Sequence, residues 1–296
     1  MTNPLLNAVL RYCQARAESE GLGQTPIAGL SIVRSFAPSG LECAISRPLV
    51  CLVLQGNKHV TMGAQNFAFG AGDSLLITAD VPTVSQITKA SRDEPYLSFV
   101  LELDTAVVAE LSLQMKDAPV AGPPVRVEPT DSQVADAALR LMNLLDRPAS
   151  LPVLLASLVR ELHYWLLVGR HGAEIRRLGW PDGHSHRVGR AIAKLRAEYA
   201  RPLRVEQLAS LAGMSPSSFH QHFRSETSLS PLQFQKQLRL IEARRIMMSE
   251  GRTASSAAFA VGYESVPQFN REYRRMFGLP PARDAETVRG SAQPAA

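Results

Sequence analysis

The sequence is poor in cysteine, and its three, Cys13, Cys43 and Cys51, are an odd number at irregular spacing. That excludes a disulfide framework and a thiolate zinc site, and it suits a reducing compartment. Histidine is as sparse: residues 1–150 contain one, His59, with no His-x-His pair and no paired carboxylates at metal spacing. A zinc or non-haem iron centre asks for two or three imidazoles with a carboxylate, so no metal and no cofactor are expected. There is no GxSxG elbow, no P-loop and no dinucleotide fingerprint, which weakens any enzymatic reading. No run approaches the roughly 18 uninterrupted apolar residues of a membrane span. The N-terminal stretch MTNPLLNAVLRYCQARAES carries Arg11 and Arg16 inside its apolar pattern, unlike a signal peptide. A soluble, cytoplasmic, non-enzymatic protein is expected.

What is present is an uneven distribution of charge. The formal net charge of +5 conceals 16 Lys and Arg against 7 Asp and Glu between His184 and Arg283. Residues 1–183 hold 15 against 18, so a basic module follows a mildly acidic one. A nucleic-acid reader beside a separate sensing domain has this footprint, and a solvated basic face alone would share it.

The basic module contains an internal repeat. VEQLASLAGMSPSSFHQHF (205–223) and ASSAAFAVGYESVPQFNREY (254–273) each place a glycine, Gly213 or Gly262, at the end of a short apolar helix. A serine cap and a proline follow in both, Ser215-Pro216 and Ser265-Val266-Pro267, suiting the first turn of a second helix. Phe219/Phe223 and Phe269/Tyr273 stand four apart and face back onto the preceding helix. These are helix-turn-helix units at 205–226 and 254–276. Between them Phe234, Leu238, Ile241 and Met248 make one apolar stripe on a rod of about 30 Å. A turn of B-DNA is about 34 Å, so the rod can set two reading helices in successive major grooves.

GMSPSSFHQHF with SLSPLQF, and then AAFAVGYESVPQFNREYRRMFGLPPARD, resemble the double helix-turn-helix domain of AraC/XylS-type bacterial transcription regulators. The resemblance covers about His186 to Asp284. Ser228 departs from the family's usual Gly, and Arg204 stands where a capping Thr or Ser is common. With the two aromatics inward on each reading helix, Ser217, Ser218, His220, Gln221 and Arg224 on the first are left for double-stranded DNA. Pro267, Gln268, Asn270, Arg271 and Arg274 are left on the second. The resemblance assigns base contacts to Ser217, His220, Gln221, Gln268 and Arg271.

Before this module, short β-type runs lie at 30–36, 48–56, 58–63, 65–70, 73–80 and 95–104, as in a sandwich or small barrel. TPIAGLSIVRS, CLVLQGNKHVTMG, GDSLLITADVP and PYLSFVLELD resemble the N-terminal sensing domain of one branch of the same family. The resemblance implies a cupin-like β-barrel, at about 24–115, that receives a small-molecule effector. Arg34, Arg47, Gln55 and Tyr96 are polar groups in apolar runs that can orient such a ligand, with edge or outward-facing positions as the simpler alternative for each. Cys13, Cys43 and Cys51 are candidate sensor thiols, with inert core residues as the simpler alternative. Helices are expected at 3–20, 105–116, 131–145 and 151–170, with a breaker at 118–124.

The expected architecture is thus α+β with two domains. A sensing and dimerisation domain spans 1–170, with helices at 131–170 for a homodimer. A linker follows at 171–185, then a DNA-binding domain at 186–284 and a tail at 285–296. RNA polymerase is a further partner if the protein activates. The alternatives are a constitutive DNA-binding dimer without effector, or a cupin-type enzyme fused to a DNA-binding module.

Overall fold

The computed structural model describes residues 3–16, 21–63, 65–115, 122–180 and 183–291. The chain divides into two compact units, the first holding residues 1–42 and 46–186 and the second residues 187–296 together with Cys43–Ile45. The first contains α1 (Pro4–Ala15), β1 (Gly21–Gln24), β2 (Leu30–Ser35), β3 (Glu42–Ser46), β4 (Leu49–Gln55) and β5 (Asn57–Met62). It continues with β6 (Gln65–Gly70), β7 (Asp73–Ile77), β8 (Val81–Lys89), β9 (Tyr96–Glu102), α2 (Thr105–Met115) and β10 (Val125–Pro129). Its last helices are α3 (Ser132–Leu145), α4 (Leu151–Val168) and α5 (Gly172–Gly179).

The strands form a six-stranded sheet, β1-β2-β9-β4-β7-β10, and a four-stranded sheet, β3-β8-β5-β6. Strand β4 shows why LVCLVL reads as an unbroken apolar run: both of its faces are buried. Val50, Leu52 and Leu54 join Leu97, Phe99 and Leu101 of β9 in a core shared with α1 and α3. Cys51 and Val53 point the other way, toward Val60, Met62, Phe69 and Ile87 of the second sheet. The strands absent from the sequence reading are β1, β3, β8 and β10. They are short, glycine-rich, polar or proline-bearing, and carry little of the alternating pattern.

Helix α1 starts where Asn3 Oδ1 accepts the Leu5 N–H at 3.1 Å and ends at Ala15, short of the expected Glu20; residues 17–20 lie outside the described residues. So do Lys116 and most of the 118–124 breaker. Asp131 caps α3, accepting the Gln133 N–H at 2.8 Å, and Val134, Ala138, Leu141 and Leu145 bury the expected face.

The expected linker is different in the structure. Gly172–Gly179 is a helix packed on α2 and α4. Its glycines are the reason: a Cβ on Gly179 would stand 2.3 Å from the Ala109 amide nitrogen, so only Gly lets the two backbones approach so closely. Glycine here marks close packing rather than slack. Pro181 and Asp182 lie outside the described residues.

Helix α4 buries only Leu162, His163 and Leu167, while Val153 is 75% exposed and Leu154 46%. By length and composition alone Pro148–Val168 is apolar enough to cross a membrane; the sequence reading expected a helix here, at 151–170, as part of a homodimer contact. It runs along α3, to which Arg140 Nε ties it by donating to Glu161 Oε2 at 3.0 Å.

His163 anchors the other side of α4. Its Nε2 accepts the Asp104 N–H at 2.9 Å and its Nδ1 faces the Val159 carbonyl oxygen at 2.8 Å, an arrangement only the neutral ring satisfies. Burial accordingly pulls its pKa below the ordinary 6.5. The unfolded chain then binds a proton that the folded chain refuses, so stability is lost as pH falls through 6.5 toward the folded value. Thermal melts between about pH 7 and pH 5 should show the first unit losing stability on acidification. The slope should be smaller in His163→Gln; equal slopes would contradict the assignment.

Candidate nucleic-acid interface

The second unit comprises α6 (His184–Ala197), α7 (Val205–Leu211), α8 (Pro216–Thr227), α9 (Pro231–Ser249), α10 (Ala254–Ala260), α11 (Val266–Phe277) and α12 (Pro281–Ser291). Helices α7–α8 and α10–α11 are the two repeat units. Gly213 and Gly262 sit at φ +62° and +87°, the left-handed conformation that reverses the chain between the helices of each pair. Ser215 and Ser265 then cap the reading helices, accepting the Ser218 and Gln268 N–H groups at 3.3 and 3.4 Å. Phe219 and Phe223 are fully buried with ring centroids 5.4 Å apart and planes at 56°. Phe269 and Tyr273 repeat that geometry, at 5.4 Å and 56°. The repeat in sequence is a repeat in packing.

With those rings inward, Ser217, His220, Gln221 and Arg224 of α8 are exposed and Ser218 is half-buried. Pro267, Gln268, Asn270, Arg271 and Arg274 of α11 are all exposed. Each reading helix therefore presents one polar face of the kind that meets base edges and phosphates. Gln268 is not wholly available, because its Nε2 donates to Glu272 Oε1 at 3.2 Å.

Helix α9 departs from the single expected stripe. Phe234 and Leu238 enter the core of the first repeat, whereas Leu240, Ala243, Ile246 and Met247 enter that of the second. Ile241 and Met248, expected on the stripe, are half-exposed. One straight helix serving two cores must present two faces in succession, which a single stripe does not capture. Its 19 residues span about 28 Å at 1.5 Å per residue.

Charged groups that the sequence reading did not select hold the repeats together. Lys236 Nζ donates to Glu272 Oε1 at 2.8 Å and the Tyr263 hydroxyl to Glu272 Oε2 at 2.7 Å, fastening α11 to α9 and to its own turn. These two donors and Gln268 hold the Glu272 carboxyl below its ordinary pKa against the opposing effect of burial. Asp284 accepts from Arg244 Nε at 2.8 Å and from the Tyr273 hydroxyl at 2.7 Å. The one sequence signal was an acid, Glu272, amid Arg271, Arg274 and Arg275. The expected tail begins inside α12, where Ala285 is buried; residues 292–296 lie outside the described residues.

Local departures are visible too. Arg204 makes no side-chain cap; instead Gln207 Oε1 accepts its N–H at 3.4 Å. Ser228 ends α8 at φ 59°, where its counterpart after α11 is Gly278 at φ 80°. A left-handed non-glycine residue costs about 1 kcal/mol. Ser228→Gly should therefore raise stability by about that amount, seen as a higher urea midpoint at unchanged m-value.

The effector candidates of the first unit do not converge. Arg34 lies over the Phe36 ring at 4.3 Å, and Arg47 pairs with Glu102 at the surface at 3.2 Å. Gln55 Nε2 is committed to the Pro95 carbonyl at 2.8 Å. Only Tyr96 faces the interior between the sheets, fully buried, with its hydroxyl and that of Ser98 lacking hydrogen-bond partners among the described residues. Cys51 lies beside them, and burial raises its thiol pKa, as it does that of the Tyr96 hydroxyl. Cys13 is buried in the α1 core and Cys43 is half-buried on β3. A sensor thiol needs exposure and a lowered pKa, so neither Cys13 nor Cys51 suits that role.

Two family matches cover most of this architecture. Residues 26–174 match the AraC-type transcriptional regulator N-terminus and residues 208–286 match a helix-turn-helix domain family. The chain belongs to the AraC-type transcriptional regulators. Among relatives, the RCS-specific HTH-type transcriptional activator RclR of Escherichia coli (strain K12) is 35% identical over 103 residues, 35% of this chain and 36% of that protein. The HTH-type transcriptional regulator ArgR of Pseudomonas aeruginosa is 27% identical over 126 residues, 42% of this chain and 38% of that protein. The chain thus spans under two-fifths of the length of either relative. An apo point variant of ToxT from Vibrio cholerae shares the fold over 90% of this chain and 100% of its own, at TM-score 0.58 and 9% identity. Unsaturated-fatty-acid-bound ToxT aligns with the same score and identity over 90% and 96%.

Proposed function

We propose that this regulator reads DNA sequence through α8 and α11 in successive major grooves and that its N-terminal unit receives a small-molecule effector. The observation that carries the DNA reading is the duplicated geometry: two matching aromatic pairs turn two exposed polar faces outward on a basic unit. Ser217, Ser218, His220, Gln221 and Arg224 are the contacts of the first helix. Pro267, Gln268, Asn270, Arg271 and Arg274 are those of the second. That ToxT, which shares the fold, is found bound to an unsaturated fatty acid supports the effector reading. Effector binding acts by preferring one arrangement of the protein over another.

The exposed apolar side of α4, with Val153 and Leu154, supports a homodimer, since a patch of that kind is normally covered by a partner. The protein acts in the cytoplasm, carries out no catalysis, and meets RNA polymerase where it activates. The domain limits that serve this reading are 1–179 for sensing and 187–291 for DNA binding.

Genome-wide capture of DNA by the purified protein, repeated with Arg271→Ala, tests the reading. Recurrent sites with two short blocks one helical turn apart are expected. Arg271→Ala should weaken them by about 1–3 kcal/mol, or roughly 5- to 150-fold. Salt-sensitive binding without sequence preference would refute the regulator reading.

A further inference from the structure

Behind the six-stranded sheet, where β4, β7 and β10 meet α3, α4 and α5, lies a cavity of about 150 Å³. A cavity of that size accommodates one benzene-sized ring. Its floor is apolar, built from Val50, Leu76, Val134, Trp165 and Ile175. Its rim is polar, with Glu128 and Asp131 at the β10–α3 junction and Arg170 and His171 in the turn from α4 to α5.

The hydrogen-bonding groups of that rim are unevenly committed. Both ring nitrogens of His171 face carboxylates, Nε2 to Glu128 Oε2 at 2.9 Å and Nδ1 to Glu174 Oε2 at 3.2 Å. Arg126 donates to Glu174 Oε1 at 2.8 Å, and Arg170 Nε stands 3.8 Å from Glu128 Oε2. The acceptors are only half used. Asp131 Oδ1 caps α3 and Glu128 Oε2 takes the imidazole, but Oδ2 and Oε1 have no partner among the described residues. A ligand here meets free carboxylate oxygens over an apolar floor.

We propose that this cleft binds a small primary amine, its apolar body on the floor and its ammonium group between Glu128 and Asp131. Charge favours the class: the rim sets Glu128 and Asp131 against one cation, Arg170, whose side chain is 80% exposed and already faces Glu128. With the imidazole engaged as well, a carboxylate ligand meets two like charges for one solvated partner. The proposal rests on the reading of the N-terminal unit as effector-binding and places one ligand outside the space between the sheets. The position is suited to regulation. An ammonium that draws Glu128 toward Asp131 through its free Oε1 weakens the Glu128–His171 contact and so the hold of β10 on the turn that ends α4, and α5 is the last helix before the second unit begins.

The test uses the full chain in a Trp180→Phe background, so that Trp165 is the remaining tryptophan, with benzylamine, benzyl alcohol and benzoate as probes. Benzylamine should change the Trp165 fluorescence saturably and raise the melting temperature. Benzyl alcohol should bind at least about tenfold more weakly and benzoate not at all. Asp131→Asn keeps a competent cap on α3 and should weaken benzylamine at least about tenfold, as should Glu128→Gln, with benzyl alcohol unaffected. Equal binding of the three probes, or benzylamine affinity unchanged in both variants, overturns the proposal. Operator affinity with and without benzylamine separates the two readings. Binding in the cleft without effect on DNA upholds the site and sinks its effector role, whereas absent binding sinks the site and leaves sequence-specific DNA capture intact.

Discussion

Gly262→Ala is expected to cost the C-terminal unit roughly 3 kcal/mol or more, while the equivalent Gly213→Ala costs about 1 kcal/mol. Both glycines occupy the left-handed region, so the backbone strain of a side chain is shared. What differs is the space. At Gly213 the nearest atom to an added Cβ is the far end of Arg187, 3.2 Å away, a flexible side chain that yields by loosening its hydrogen bonds to the Ala212 and Gly213 carbonyls. At Gly262 it is the Ala200 carbonyl oxygen at 2.0 Å, with its carbon at 2.8 Å. Those are backbone atoms of the corner between α6 and α7, and they yield only if the second repeat shifts against the first. Guanidinium unfolding of the two variants measures the contrast directly. Similar losses in both would show that this close approach is not what fixes the joint.

Arg239 holds the same joint from the other side, and its removal should be nearly as damaging. Its Nε donates to the Tyr199 carbonyl at 2.7 Å, one terminal nitrogen to Gly262 O at 2.9 Å, and the other to Ala200 O and Arg201 O at 3.3 and 3.2 Å. Four carbonyls from two segments thus depend on one guanidinium, with Gln235 sharing Tyr199 O and Arg201 O at 3.0 and 2.6 Å. Arg239→Ala should destabilise the unit by roughly 2–4 kcal/mol. Arg239→Lys should recover little, because one ammonium cannot span a fork of four acceptors. The informative readout is DNA. Binding to an operator with both blocks should fall further than binding to either block alone, since the lesion disturbs the spacing of α8 and α11. A uniform loss on every DNA would assign Arg239 to general stability only.

How much of this was legible in the sequence follows from how local each cause is. The helix-turn-helix units depend on a glycine, a serine cap, a proline and two aromatics within about one reading unit, and each leaves a mark at fixed spacing. The exposed faces of α8 and α11 then follow from helical periodicity alone. The joint between the repeats was not legible. Arg239 on a long helix reads as a solvated charge until the corner 199–201 is seen folded against it. The first unit shows the same limit. Which way Arg34 or Tyr96 points depends on strand register: Arg34 pairs with Leu97, and Tyr96 with Ser35. A shift of one residue reverses such an assignment. Helix α5 was missed because glycine signals freedom in a sequence but also permits contact in a fold.

The division of α9 between two cores has a consequence for how such a regulator diversifies. Phe234 and Leu238 answer to one set of neighbours, and Leu240, Ala243, Ile246 and Met247 to another. The repeats behave as two small reservoirs of stability sharing a single beam. On the proposed reading, a change that alters the bases read by α11 falls on its own core and leaves the footing of α8 intact. The two halves of an operator can therefore drift at different rates under one protein. The quantity held fixed is then the separation set by the beam, and the identity of the bases at either end is free to change.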